Sequence, residues 1–155
     1  MGEDQLDDVN RAIIRALQVD ARGQSSTAIA EAVGISDSAV RKRIARLEER
    51  GIIRGYHADV DYPTAGYPLR MLLYCTAPID RRGAIADQIL SVAGVIRVQE
   101  LLTGERNLLV TVVGQTDADI TPVAQAIVEI GATVADEVLV RSTAMTPFDG
   151  FEPNE

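Results

Sequence analysis

Six cations fall between positions 41 and 54: Arg41, Lys42, Arg43, Arg46, Arg50 and Arg54, against only Glu48 and Glu49. A guanidinium carries five N–H donors in a planar fork, which fits the O6/N7 edge of guanine or a pair of phosphate oxygens. Hydroxyls cluster nearby at Ser25, Ser26, Thr27, Ser36 and Ser38, and such groups hold phosphates and set register. The chemistry this points to is recognition of double-stranded DNA. Ser38, Arg41 and Lys42 are predicted to reach base edges. Arg43, Arg46, Arg50 and Arg54, with Ser25, Ser26, Thr27 and Ser36, are predicted on the phosphate side. The bland alternative is a solvated helix face.

Other chemistries find little support. One Cys (Cys75) and one His (His57) cannot form a Cys/His zinc set or an intramolecular disulfide. A single His leaves general acid–base catalysis without a second imidazole. No phosphate-binding loop or nucleophile elbow is present, so no metal, no cofactor and no enzyme activity are expected.

The elements that must position the cations are legible. Leu6, Val9, Ile13, Ile14 and Leu17 recur at steps of three and four, which predicts an amphipathic helix. Ser25 or Ser26 can cap a second helix, Thr27 to Val33, with Ala28, Ile29, Ala32 and Val33 inward and Gly34 ending it. Ser36 caps a third helix running to Arg50, closed by Gly51. Two helices joined by a short Gly-containing turn form a helix-turn-helix. On the third helix Val40, Ile44 and Leu47 share one arc, while Ser38, Lys42, Ala45 and Glu49 lie opposite, with Arg41 and Arg46 on the shoulders. The Ser cap, the turn and the placement of the cations in the helix that would enter a groove favour DNA recognition over a merely solvated face.

Residues 52–58 read as a short strand, wing or arm, and two Pro and a Gly between positions 61 and 68 mark a linker. Domains are therefore expected at 1–60 and 69–146, with a flexible tail at 147–155. The second half reads strand (Arg70 to Ala77), helix capped by Asp80 to Ala93, strand (Val95 to Leu102), turn, strand (Asn107 to Val113), helix from Asp117 to Ile130, and a long last strand, Thr133 to Met145. That order, βαββαβ, predicts an α+β fold: a helix-turn-helix followed by a ferredoxin-like, ACT-like domain.

The whole chain carries 23 Asp and Glu against 15 Lys and Arg, a net charge of −8, which argues against indiscriminate nucleic-acid binding. Lys42 is the one Lys among those cations. An acidic composition that avoids Lys predicts a halophilic source, although a GC-rich genome also favours Arg. No apolar run approaches the ~20 residues of a membrane span and no signal peptide is apparent, so the expected location is cytoplasmic.

The residues Leu6-Asp7, Asn10, Ile13, Leu17, Asp20-Ala21-Arg22, Ser36-Asp37-Ser38-Ala39-Val40-Arg41-Lys42-Arg43-Ile44, Leu47-Glu48, Gly51-Ile52-Ile53 and Gly55-Tyr56 together resemble the Lrp/AsnC (feast/famine) transcription regulators. The resemblance runs from Leu6 to about Met145. It implies a DNA-binding regulator that dimerises through the sheet of its C-terminal domain, often assembles into octamers, and senses amino acids between dimers. It also implies an effector loop at Thr103, Gly104, Glu105, Arg106 and Asn107, where the family often reads Gly, any residue, an aromatic and Asp. Asn107 replaces that acid and Asn10 replaces another. An uncharged Asn107 holds an ammonium less strongly than a carboxylate, so Glu105 is a candidate substitute and Arg106 a candidate partner for an acidic ligand; the loop as a mere turn stays open. Ser142 and Thr143 are candidate pocket residues beside it. Two rivals are weighed: an architectural DNA-binding protein without an operator, and an enzyme like siroheme decarboxylase, which this lone His57 does not favour.

Overall fold

The computed structural model describes residues 6–152; residues 1–5 of the expected first domain and 153–155 of the expected tail lie outside that range. The chain divides into two compact units. One runs to Ala58 and takes up the chain again from Ala144; the other is Asp59–Thr143.

The first unit is helical. Helix α1 (Asp8–Asp20) opens on Asp7, whose carboxylate accepts the Asn10 backbone N–H at 2.7 Å. Helix α2 (Ser26–Val33) is capped by Ser25 and closed by Gly34 at φ +74°, a left-handed conformation that favours glycine. Helix α3 (Asp37–Glu49) is capped by Ser36. Ile13, Ile14, Ile29, Ala30, Val40 and Leu47 form the buried core. Helix α2 therefore turns Ile29 and Ala30 inward, while Ala28 and Ala32 are exposed. Those two alanines lie on the neighbouring i,i+4 stripe, about 100° round the helix from Ile29 and Val33, so the sequence reading had merged two stripes.

Residues 52–58 form no strand. The N–H groups of Ile52 and Ile53 bond the Leu47 carbonyl at 2.9 and 3.1 Å, finishing α3, and among the described residues the rest pairs with no strand. Residues 147–152 are not a free tail either. A 3-10 turn at Asp149–Phe151 packs on α1, with Phe151 against the helical core, an Arg15–Glu152 ion pair of 2.8 Å, and the Phe148 N–H bonded to Gln18.

The second unit contains β1 (Leu69–Thr76), α4 (Arg82–Leu90), β2 (Val95–Glu100), β3 (Leu108–Gly114), α5 (Asp117–Ile130) and β4 (Thr133–Leu139). The sheet order is β2-β3-β1-β4 and every pairing is antiparallel, as the βαββαβ reading expects. Leu73, Cys75, Leu108, Val110 and Val112 pack on Ile85, Ile89, Val123 and Ile127 of α4 and α5. Burial pushes the Cys75 thiol up to about 11. Several boundaries differ from expectation: α4 ends at Leu90 and β2 at Glu100, short of Ala93 and Leu102. Helix α4 starts after Arg81 with no side-chain cap, so Asp80 does not cap it. Strand β4 stops at Leu139 because its partner runs out: Leu139 pairs with Met71 and the Val140 N–H bonds Arg70, at the start of β1.

Candidate nucleic-acid interface

Helix α3 buries Val40 and Leu47 and half-buries Ile44, which leaves Ser38, Arg41, Lys42, Ala45 and Arg46 exposed. The small Ser38 and Ala45 side chains leave room for close approach beside the cations. The exposed outer face is thus the one expected from the sequence.

Its cations are not equivalent. Arg41, with 69% of its side chain exposed, is ion-paired to Asp37 one turn earlier. That partner, followed by the Ser26 hydroxyl, holds the Asp37 carboxyl below its ordinary value. Arg43 is half-buried and donates to Asp7 Oδ2 at 2.6 Å and Asn10 Oδ1 at 3.0 Å. It fastens α3 to α1 through its Nη1 group, which commits part of its donor set inside the protein. Desolvation pushes Asp7 up, but the bond from Arg43, the Asn10 N–H and the charges of Arg43 and Arg11 outweigh it and leave Asp7 lowered. Among the described residues Lys42, Arg46 and Arg54 make no ion pair and are exposed. Arg50 caps the end of α3.

The hydroxyls divide in the same way. Ser25 and Ser36 accept the N–H groups of Ala28 and Ala39 at 3.0 and 3.2 Å, and Ser36 also meets Ser38 at 3.2 Å. They are helix caps; the Ser25 hydroxyl hydrogen remains for an outside acceptor, whereas Ser36 and Ser38 share one hydroxyl hydrogen between them. Thr27 is exposed. Sequence reasoning missed the two acids that organise the cations. Asp37 and Arg41 have the i,i+4 spacing of a helix pair; Asp7 and Arg43 are 36 positions apart, and no local pattern announces them.

The predicted effector residues do not converge within one chain. Asn107 is fully buried, and its amide accepts from the Ala77 N–H and donates to the Ala77 carbonyl, both at 2.8 Å. It ties the exit of β1 to the start of β3 and is not presented to a ligand. Ser142 and Thr143 lie beyond β4, and Thr143 accepts from Arg70 at 3.2 Å. Thr103–Arg106 sits at the other end of β1, where the Arg106 N–H bonds Thr76 at 3.1 Å. Six residues of strand separate those ends, roughly 20 Å. In the loop, Thr103 bonds the Glu105 and Arg106 carbonyls, Arg106 holds a left-handed φ of +49° and faces Asp136 at 3.6 Å, and Glu105 is exposed. An open cleft of about 570 Å³ lies elsewhere in this unit, lined by Tyr67, Val92, Gly94, Gln115, Asp119 and Pro122 among others.

No metal-ligating cluster and no helix long and apolar enough to cross a membrane occur among the described residues. Residues 6–54 match the winged helix-turn-helix DNA-binding family model. The chain is 41% identical over 80 residues to the HTH-type transcriptional regulator AldR of Mycolicibacterium smegmatis, covering 52% of this chain and 46% of that one. It is 30% identical over 118 residues to AldR of Mycobacterium tuberculosis, covering 75% and 65%. Its relatives are Lrp/AsnC-family transcriptional regulators. The chain spans about half to two thirds of the length of these regulators. The crystal structure of the M. tuberculosis AldR superposes with a TM-score of 0.75 at 27% identity, over 90% of this chain and 97% of that one. The M. tuberculosis feast or famine regulatory protein complexed with L-methionine superposes with a TM-score of 0.76 at 23% identity, over 92% and 96%, a likeness of fold.

Proposed function

We propose that the chain is a sequence-specific DNA-binding transcription regulator of the Lrp/AsnC family, modulated by a small molecule. The observation that carries this reading is the outward cationic face of α3, set in a helix-turn-helix that matches a DNA-binding family over residues 6–54. A dimer presents two copies of α3 to successive major grooves. Ser38, Arg41 and Lys42 read bases; Arg46, Arg50 and Arg54 hold phosphates with the hydroxyls of Ser25, Ser26, Thr27 and Ser36. Arg43 fixes the helix through Nη1 and offers its remaining N–H groups to the phosphate side.

Dimerisation through the sheet has support in its face opposite the helix-covered core, where Leu72, Tyr74, Leu109 and Val138 fall by register. Higher assembly, up to an octamer, belongs to the same reading. An amino acid is the effector class, supported by the L-methionine complex of a protein of this fold. Thr103, Gly104, Glu105 and Arg106 are its site, with Ser142 and Thr143 entering only if a second copy brings them there. The reading is non-catalytic and cytoplasmic.

A halophilic origin remains part of the proposal and adds a demand. If about six phosphates are neutralised, a tenfold rise in salt costs roughly five decades of affinity, which avidity across an oligomer offsets. The test compares Arg41→Ala with Arg46→Ala on a selected and a scrambled duplex. Arg41→Ala relaxes sequence preference, whereas Arg46→Ala weakens both duplexes alike. Equal losses on both duplexes for both variants contradict the division.

A further inference from the structure

We propose that Asp37 is a positioning residue for base reading: its carboxylate holds the Arg41 guanidinium on the outward face of α3, so that Arg41 meets one base edge instead of wandering along the phosphates. The proposal rests on the DNA-reading function above.

Arg41 is a long side chain, and with 69% of it exposed little packing selects one of its rotamers. Freezing it on DNA costs conformational entropy unless something already holds it. Asp37 does so from one turn earlier, where its own side chain is only 30% exposed. It sits in the first turn of α3, directly after the Ser36 cap, where the helix dipole favours an anion. The carboxylate engages the Nη2 group of Arg41, and the other guanidinium donors are left for the two acceptors of guanine.

The charge has a second consequence. Beside Asp37, Arg41 contributes no net positive charge to its neighbourhood, so it gains little from an arbitrary phosphate. Lys42 and Arg46, which make no ion pair among the described residues, supply that non-specific attraction. The cationic strip is thereby split into one reader, disciplined by an acid, and cations that hold the backbone. Arg43 differs from both in that its Nη1 group is fixed to Asp7 and Asn10.

The experiment begins with wild-type protein selecting a duplex from a randomised DNA pool. Affinities are then measured for that duplex, for each single base-pair replacement and for a scrambled duplex. The variants are D37A, R41A, D37A/R41A, and D37E, which restores an acid at the same i,i+4 spacing. D37N, with thermal unfolding of each variant, covers the case in which D37A fails to fold. D37A should lower discrimination at one G·C pair by about fivefold or more, with affinity for the scrambled duplex unchanged or raised. It should have no further effect in the R41A background, and D37E should recover most of the preference. Unchanged discrimination in D37A, or an equal loss in the R41A background, overturns the positioning role. A wild-type protein that selects no sequence overturns the DNA-reading function itself, and the two failures are told apart by that first step.

Discussion

Replacing Asn107 with Ala tests whether this residue belongs to the architecture of the sheet or to a ligand site. The side chain is fully buried and makes two 2.8 Å hydrogen bonds to the main chain of Ala77. Truncation removes both and strands a buried N–H and a buried carbonyl at the end of β1. Each stranded group costs roughly 1–3 kcal/mol, so the variant should lose about 2–6 kcal/mol. Set against the ~5–15 kcal/mol of a typical protein, that is a large fraction. Urea unfolding followed by circular dichroism should show a lower midpoint with an unchanged slope. Asn107→Asp sharpens the test. A carboxylate still accepts the Ala77 N–H but cannot donate to the Ala77 carbonyl, and burial raises its native pKa above the unfolded value. Its protonated form can donate, so the deficit should be smallest at acid pH and grow as pH rises through the native pKa. A loss below about 0.5 kcal/mol in Asn107→Ala, within the range of an ordinary surface change, refutes the architectural role.

Three further outcomes follow from the same geometry. Asp7→Asn keeps a helix cap but removes the charge facing Arg43. Because the native Asp7 carboxyl is lowered from 3.8, its stabilisation is present above that pH and lost as pH falls through the native value; the variant should have a flatter acid limb in a stability-versus-pH series, and an identical limb contradicts the pairing. Phe151→Ala should lower stability by about 1–3 kcal/mol, since the half-buried ring packs on the helical core, and chemical unfolding measures it; a neutral result would return residues 147–152 to the status of a tail. Arg46→Ala should reduce the slope of log affinity against log salt by about one contact, read by binding titrations at several KCl concentrations, and an unchanged slope removes Arg46 from the phosphate contacts.

The fold was legible wherever local chemistry repeats itself. Ser25, Gly34, Ser36 and Gly51 punctuate the helices, and the apolar runs around Leu73 and Val110 set the strands. What escaped was non-local. The end of β4 depends on where β1 begins, which no feature of residues 140–145 reveals. Phe151 reads as part of an acidic tail until α1 is there to receive it. Among the site residues, the outward face of α3 followed from helical angle alone. The commitment of Arg43 to Asp7 did not, because the pairing exists only once α1 and α3 are folded together. The family resemblance assigns Asn107 to an effector loop, whereas its amide is spent on the main chain of Ala77, just past the end of β1. Asp37 could have been found, since four residues separate it from Arg41.

The central claim is that this chain reads an operator. Its most direct test is a binding selection from fragmented genomic DNA at molar KCl, with footprinting of the recovered fragments. The account predicts a short near-palindrome with protections about one helical turn apart, matching two copies of α3. Uniform recovery, with no preferred sequence and no periodic protection, would contradict it.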